Sequence, residues 1–247
     1  MANGIAEAIV TNPTTHDARI ASRFNGPPNS GNGGYAVGLI AKHFDGAVEV
    51  TLKRPIPLET NMMVVTEGRS AALFHDGSEI ASARAATLDV ALPEAVSFQE
   101  AAAARAEFAG YKAHPVPDCF VCGTHRHCGD GMCLFSGRLA DGVVASSWVP
   151  NEEFGDADGH VVPEFVGAAL DCPGAWAFID KYGIEDLVVL GRMTFEQFAP
   201  VHAGGRYSVV GWALGRDGRK LHCGTAVFDV EGNVCAAAKH TWLQLTK

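Results

Sequence analysis

The chain has 247 residues, 47% of them hydrophobic and 19% charged, with 28 glycines and a net charge of -9. That balance describes a globular chain with enough apolar material to build a core without disulfide staples, and it excludes the disordered and fibrous classes. The negative charge repels phosphate backbones, so no nucleic acid is expected as a partner, although a local basic patch can still hold one anionic group.

Residues 1–10 carry neither a basic leader nor a long apolar run, and no stretch approaches the length that spans a bilayer. No membrane partner is expected, and the cytoplasm is the expected location. The first expected helix covers residues 33–44, opened by Asn32-Gly33-Gly34, with apolar residues at 35, 36, 37, 39, 40, 41 and 44. Apolar almost all round, it must be wrapped on most sides. Strands are expected over 48–54, 62–66, 71–74 and 79–90, each bounded by turn residues such as Asp76-Gly77. A linker helix over 97–108 follows, with Ser97 as N-cap and Glu100 three residues on. His114-Pro-Val-Pro-Asp118 then stiffens the chain.

Four of the seven cysteines crowd into Cys119-Phe-Val-Cys122-Gly-Thr-His125-Arg-His127-Cys128-Gly-Asp-Gly-Met-Cys133. An odd, clustered set is unlike the paired framework of a small secreted domain, so reduced thiols are expected. Cys-x-x-Cys-Gly also opens like a zinc knuckle, and Cys119, Cys122, Cys128 and Cys133 with two nearby histidines could close a tetrahedral structural site. The spacing of Cys128 and Cys133 is too wide for a second knuckle. A tight loop of thiols leading into a strand over 132–137 is the preferred reading, and zinc is the alternative.

A second helix is expected over 163–181, where Pro163 suits the first turn, followed by strands over 187–198, 206–214, 220–230 and 233–245. This order of one helix and then a meander repeats that of the first half. Segment Asp76-Gly-Ser-Glu-Ile-Ala-Ser-Ala-Arg-Ala-Ala-Thr-Leu88 returns as Glu231-Gly-Asn-Val-Cys-Ala-Ala-Ala-Lys-His-Thr-Trp-Leu243. The period is far longer than the roughly 20 to 50 residues of solenoid repeats, so two whole units are expected.

A long apolar helix wrapped by a twisted antiparallel sheet resembles the hotdog fold, and two copies imply an α+β double hotdog. The parts that carry the resemblance are Asn32-Gly-Gly-Tyr35, the matched Gly-to-Leu strand segments, and Ala168-Ala-Leu-Asp-Cys-Pro-Gly174. Together they are similar to the acyl-CoA thioesterase II group and related actinobacterial sequences. Those actinobacterial sequences resemble Cys-Phe-Val-Cys-Gly followed by Gly-Asp-Gly, which residues 119–123 and 129–131 match, whereas Cys128 and Cys133 look particular to this chain. The expected division is an N-terminal hotdog over 1–92, a linker over 93–117 and a C-terminal hotdog over 118–247.

Thioester hydrolysis needs an activated water or a carboxylate nucleophile, plus donors aimed at the developing oxyanion. Single-hotdog thioesterases of the phenylacetyl-CoA type resemble His-Gly-Gly at the helix start, with an acid seven residues after the second glycine. In the first copy Asn32 replaces the His and Ala41 stands at the acid position. In the second copy Asp171 is the acid, while Val162, Pro163 and Glu164 replace His-Gly-Gly. Hotdog dimers of this type set the glycine end of one unit against the acid of the other, so the resemblance implies one composite site of Asn32, Gly33, Gly34 and Asp171. In it the Gly34 or Gly33 amide would hold the oxyanion and Asp171 would act as base or nucleophile.

Each of these residues also has a plain structural reading. The glycines can simply turn the chain into the helix, and Asp171 can cap a second helical segment starting at Pro173. An unpaired charge in so apolar a helix is costly, which favours a specific role for Asp171. His160 and Glu164 are read as loop and first-turn residues that could also orient substrate or water.

The expected function is therefore hydrolysis of an acyl-CoA thioester, with coenzyme A as part of the substrate and no metal or redox cofactor required. Two other readings are open: a non-catalytic acyl or small-molecule binding protein, and a hotdog hydratase or dehydratase, which Asp156-Ala-Asp158-Gly-His160 loosely echoes. Lys53, Arg54, Arg84 and Arg192 are candidates for the coenzyme A phosphates. Edge strands invite dimers or higher homo-oligomers of the double unit.

Overall fold

A computed structural model describes residues 12–245; the N-terminal stretch read for a leader lies outside them. In chain order the first half is β1 (Thr14–Ala18), α1 (Gly33–Ala41), β2 (Val48–Leu52), β3 (Met62–Glu67), β4 (Ser70–His75) and β5 (Ser78–Ala85). Next comes α2 (Phe98–Ala104). The second half is β6 (Gly137–Ala140), β7 (Val143–Trp148), α3 (Pro163–Tyr182), β8 (Val188–Gln197), β9 (Tyr207–Asp217), β10 (Lys220–Phe228) and β11 (Val234–Gln244). No helix among the described residues is long and apolar enough to cross a membrane.

All of the strands join one antiparallel sheet in the order β1-β3-β4-β5-β2-β8-β11-β10-β9-β7-β6. Read from the centre outward, each half runs through its first strand after the helix, then its last, then back through the meander in reverse chain order to the strand or strands that precede the helix. The halves meet where β2 pairs with β8, Val48 facing Phe195 and Thr51 facing Arg192. Hydrogen bonding therefore continues across the middle without an exposed edge, which leaves β1 and β6 as the outer strands.

Every residue of α1 is buried, as an all-round apolar helix requires. It lies in the main core with α3 and the segment around Phe120, whose ring meets Phe24 edge-on and Phe165 at a tilt. α1 and α3 cross at glycines. A Cβ on Gly34 would stand 2.2 Å from the Gly167 carbonyl oxygen, and one on Gly38 would stand 2.0 Å from that of Pro163. Only residues without a Cβ let the two backbones approach this closely.

The hairpin at Asp76-Gly77 has positive φ at both residues, 46° and 71°, the pairing expected for a tight two-residue turn. The Ser97–Glu100 capping box is present. α2 nevertheless stops at Ala104, and it does more than link. Ala101 packs with Ala145, Val210, Trp212 and Phe228 in a second, smaller cluster, while Gly137 allows β6 to pass against the Ala104 carbonyl.

Several expectations are corrected. α1 ends at Ala41 rather than 44, because His43 N–H and Phe44 N–H donate to carbonyls three residues back and tighten the last turn. The strand expected over 132–137 does not form: Met132 and Leu134 donate to the carbonyls of Phe120 and Val121 instead. β1, β6 and β7 lie in segments without clear alternation. The thiols are not all reduced, since Cys128 and Cys133 form a disulfide across a loop that brings their Cα atoms to 5.5 Å. Five cysteines remain free. That disulfide also removes Cys128 and Cys133 from the four-cysteine zinc site.

Candidate active site

The N-terminus of α1 meets the middle of α3 at Asn32, Gly34 and Asp171. Asn32 is the N-cap, and its Oδ1 accepts the Tyr35 N–H at 2.9 Å. A backbone N–H can only donate, so this bond fixes the orientation of the amide. The other end, Nδ2, then donates to Asp171 Oδ2 at 2.8 Å, and the Gly34 N–H donates to the same oxygen at 3.0 Å. Asp171 is 2% exposed and Asn32 1%. Asp171 Oδ1 has no hydrogen-bond partner among the described residues.

The carboxylate is thus anchored by one oxygen and free at the other. Burial pushes its pKa up to about 7, opposed by the Gly34 amide and the Asn32 side chain and reinforced by the nearby Cys119 sulfur. A group titrating near neutrality can exchange a proton at low cost.

Asp171 does not cap a second segment. α3 runs through it unbroken, with Pro173 inside the helix. The Gly34 amide differs from the expected oxyanion donor, because Asp171 occupies it. Gly33 N–H makes no hydrogen bond among the described residues, and Gly33 lines the adjoining cavity. The free first-turn donor at this helix end is therefore Gly33.

The cavity measures about 530 Å³ and has Asn32, Gly33 and Asp171 in its wall. Ile56, Trp176, Ile179 and Leu190 supply apolar lining, and the exposed Lys53 and Arg54 stand at its mouth. Lys53 is paired with Glu79 at 2.7 Å. Arg84 and Arg192 lie by Glu49 and outside the cavity lining.

The reciprocal position, where Ala41 and Pro163-Glu164 replace acid and glycines, is closed. Gly38 packs on Pro163, and Lys42 Nζ binds Glu164 Oε1 at 2.7 Å. Glu164 therefore serves an ion pair. His160 is held in a loop, where Asp156 Oδ1 accepts the amides of Asp158 and His160. Neither His160 nor Asp156 lines the cavity. The segment that echoed a hydratase is a hydrogen-bonded turn.

Sequence carries no signal for Cys172 beyond its place after Asp171 in an apolar helix. The Cys172 sulfur lies 3.6 Å from that of Cys119, and the Cys119, Cys122 and Cys172 sulfurs are all within 4.8 Å of one another. Thiol donation from Cys122 and Cys172 holds the Cys119 thiol well below the ordinary cysteine range. His114 borders the same cavity, but both of its ring nitrogens are engaged, by Cys122 O and Val116 N–H.

No protein-family model matches the chain, and no curated protein matches its sequence. Solved structures match along nearly its whole length. The tesB protein of Mycobacterium avium subs paratuberculosis is 11% identical, aligning 94% of this chain and 93% of that one with a TM-score of 0.63. The acyl-CoA thioesterase II TesB2 of Mycobacterium marinum is also 11% identical over 94% of this chain and 93% of its own, with a TM-score of 0.60. A conserved protein of unknown function with a hot dog fold from Alicyclobacillus acidocaldarius gives 0.58 at 11% identity, covering 94% of each chain. This chain therefore has the α+β hotdog fold that these proteins share. Identities so low carry the fold and leave the chemistry to the site itself.

Proposed function

We propose that the chain is a tandem hotdog, with units over 1–92 and 118–247 joined by residues 93–117, and that it hydrolyses an acyl-CoA thioester at one composite site. The observation that carries the reading is Asp171: a buried carboxylate with one oxygen fixed by Asn32 and Gly34 and the other unpartnered, in the wall of an apolar cavity. The acyl-CoA thioesterase II of Mycobacterium marinum, which shares the fold, supports the substrate class.

In this reading the acyl chain lies along the apolar wall and the thioester carbonyl oxygen accepts the Gly33 N–H. The positive end of α1 stabilises the charge that develops there. Asp171 Oδ1 takes a proton from water as the water oxygen bonds to the carbonyl carbon. Collapse of the tetrahedral intermediate breaks the C–S bond, and the proton leaves with the coenzyme A thiolate to give free thiol and fatty acid. Lys53 and Arg54, at the mouth, are the cations available to the nucleotide phosphates.

Release of free thiol from short, aromatic and long acyl-CoAs tests the reading. Asp171→Asn keeps an oxygen for both anchoring donors but cannot take the proton, so the rate should fall by about 10²- to 10⁴-fold while the fold is kept. Undiminished turnover in that variant, or no turnover of any thioester by the natural chain, would sink the proposal.

A further inference from the structure

We propose that Cys119, Cys122 and Cys172 bind one zinc-like divalent ion, leaving a fourth coordination position open to the cavity. Two segments far apart in sequence converge there. Cys119 and Cys122 sit on a tight turn in which Gly123 N–H donates to the Cys119 carbonyl at 2.9 Å. A Cβ on Gly123 would collide with the carbonyl oxygens of Cys119 and Pro117, at 2.5 Å each. Cys172 comes from the buried middle of α3.

The spacing of the sulfurs fits a metal. Zinc–sulfur bonds of about 2.3 Å in a tetrahedron set the sulfurs roughly 3.8 Å apart. Here Cys119 and Cys172 are 3.6 Å apart, and no pair exceeds 4.8 Å. Three buried thiols could instead pack as small apolar side chains, but packing does not require their sulfurs to close into a triangle. Three thiolates select a soft ion over magnesium or calcium, which prefer oxygen.

Among the described residues no fourth His, Cys, Asp or Glu joins the triangle, and the nearby His114 is committed to other bonds. All three cysteines border the cavity that also holds Asp171. The free position therefore faces the space where a ligand would sit, the arrangement of an open rather than a closed zinc site. This inference stands apart from the thioesterase reading, because metal binding is measured without substrate.

The test is Co²⁺ titration of the full-length, metal-free chain under a phosphine reductant, followed by absorption. The expected result is a thiolate-to-cobalt charge-transfer band saturating at about one ion per chain, with the visible bands of a tetrahedral site. Cys119→Ser and Cys172→Ser should each weaken or abolish the band, their folding being checked by circular dichroism. Cys235→Ser and the Cys128→Ser/Cys133→Ser double variant should leave it unchanged. Added 2-mercaptoethanol should shift the visible bands by entering the open position. No charge-transfer band in the natural chain overturns the proposal, as does a band undiminished by Cys172→Ser or lost with Cys128 and Cys133. Visible bands that do not move with the added thiol overturn the open position.

Discussion

Asn32 and His240 show how burial decides what a single polar side chain does. Asn32 spends its oxygen on the helix it caps and its nitrogen on Asp171, so substitution at either end disturbs both. His240 is 1% exposed; its Nε2 lies 2.8 Å from the Thr225 hydroxyl and its Nδ1 has no partner. Burial lowers its pKa from the ordinary 6.5 to about 3. Between those values the unfolded chain holds a proton that the folded chain refuses. The His240 contribution is therefore intact above 6.5 and is lost as the pH falls, by up to about 1.4 kcal/mol per pH unit. Asp171 works the other way, because its folded pKa of about 7 lies above the ordinary 3.8. The two slopes oppose each other over the shared range, so the comparison must be made by difference. Urea unfolding at a series of pH values should show the natural chain losing stability relative to His240→Gln as pH drops from 6.5 toward 4. Parallel curves would show that His240 does not stay neutral. At this scale sequence exposed Asp171 through its apolar neighbours, and Gly33, Gly34 and Asn32 through the resemblance. It did not expose which amide stays free, because that depends on a contact with α3.

Among the elements, the crossing of α1 and α3 is set by glycine rather than by large side chains. Replacing a helical glycine with alanine ordinarily gains up to about 1 kcal/mol. At Gly38 the added carbon would meet backbone atoms at 2.0 to 2.6 Å, and backbone cannot rotate aside. Gly38→Ala should therefore destabilise the chain by about 1 to 3 kcal/mol or more. At Gly33 the same carbon meets only the side chains of Leu190 and Leu52, at 3.0 to 3.2 Å, so Gly33→Ala should cost distinctly less. Denaturant midpoints of the two variants check the ranking, and equal losses would contradict it. Sequence periodicity made α1, α3 and most of the meander legible, because each has one well-defined apolar pattern. The β1, β6 and β7 strands were not legible. β1 and β6 lie at the sheet's ends, exposed and short, and β7 is buried at most of its positions without alternation. The second task of α2 was hidden for another reason: its alanines signal helix strongly but say nothing of the surface they meet.

Across the molecule, the two contact points of the single α1–α3 crossing, either of which could have been a site, differ in what fills them. One holds Asn32, Gly33 and Asp171 beside a cavity, and the other is filled by Gly38, Pro163 and the Lys42–Glu164 pair. A non-hydrolysable thioether of coenzyme A should accordingly bind once per chain in calorimetry, and a stoichiometry of two would refute the division. The seam at β2 and β8 bears on this in another way. Where two separate chains meet to make a shared site, dilution pulls them apart and activity per molecule falls with concentration. Here both contributors are tethered and stitched into one sheet, so formation of the site is a first-order event. Turnover per chain should stay constant from micromolar to nanomolar protein. The tether also frees each half to change alone, since a substitution no longer appears on both sides of the crossing at once.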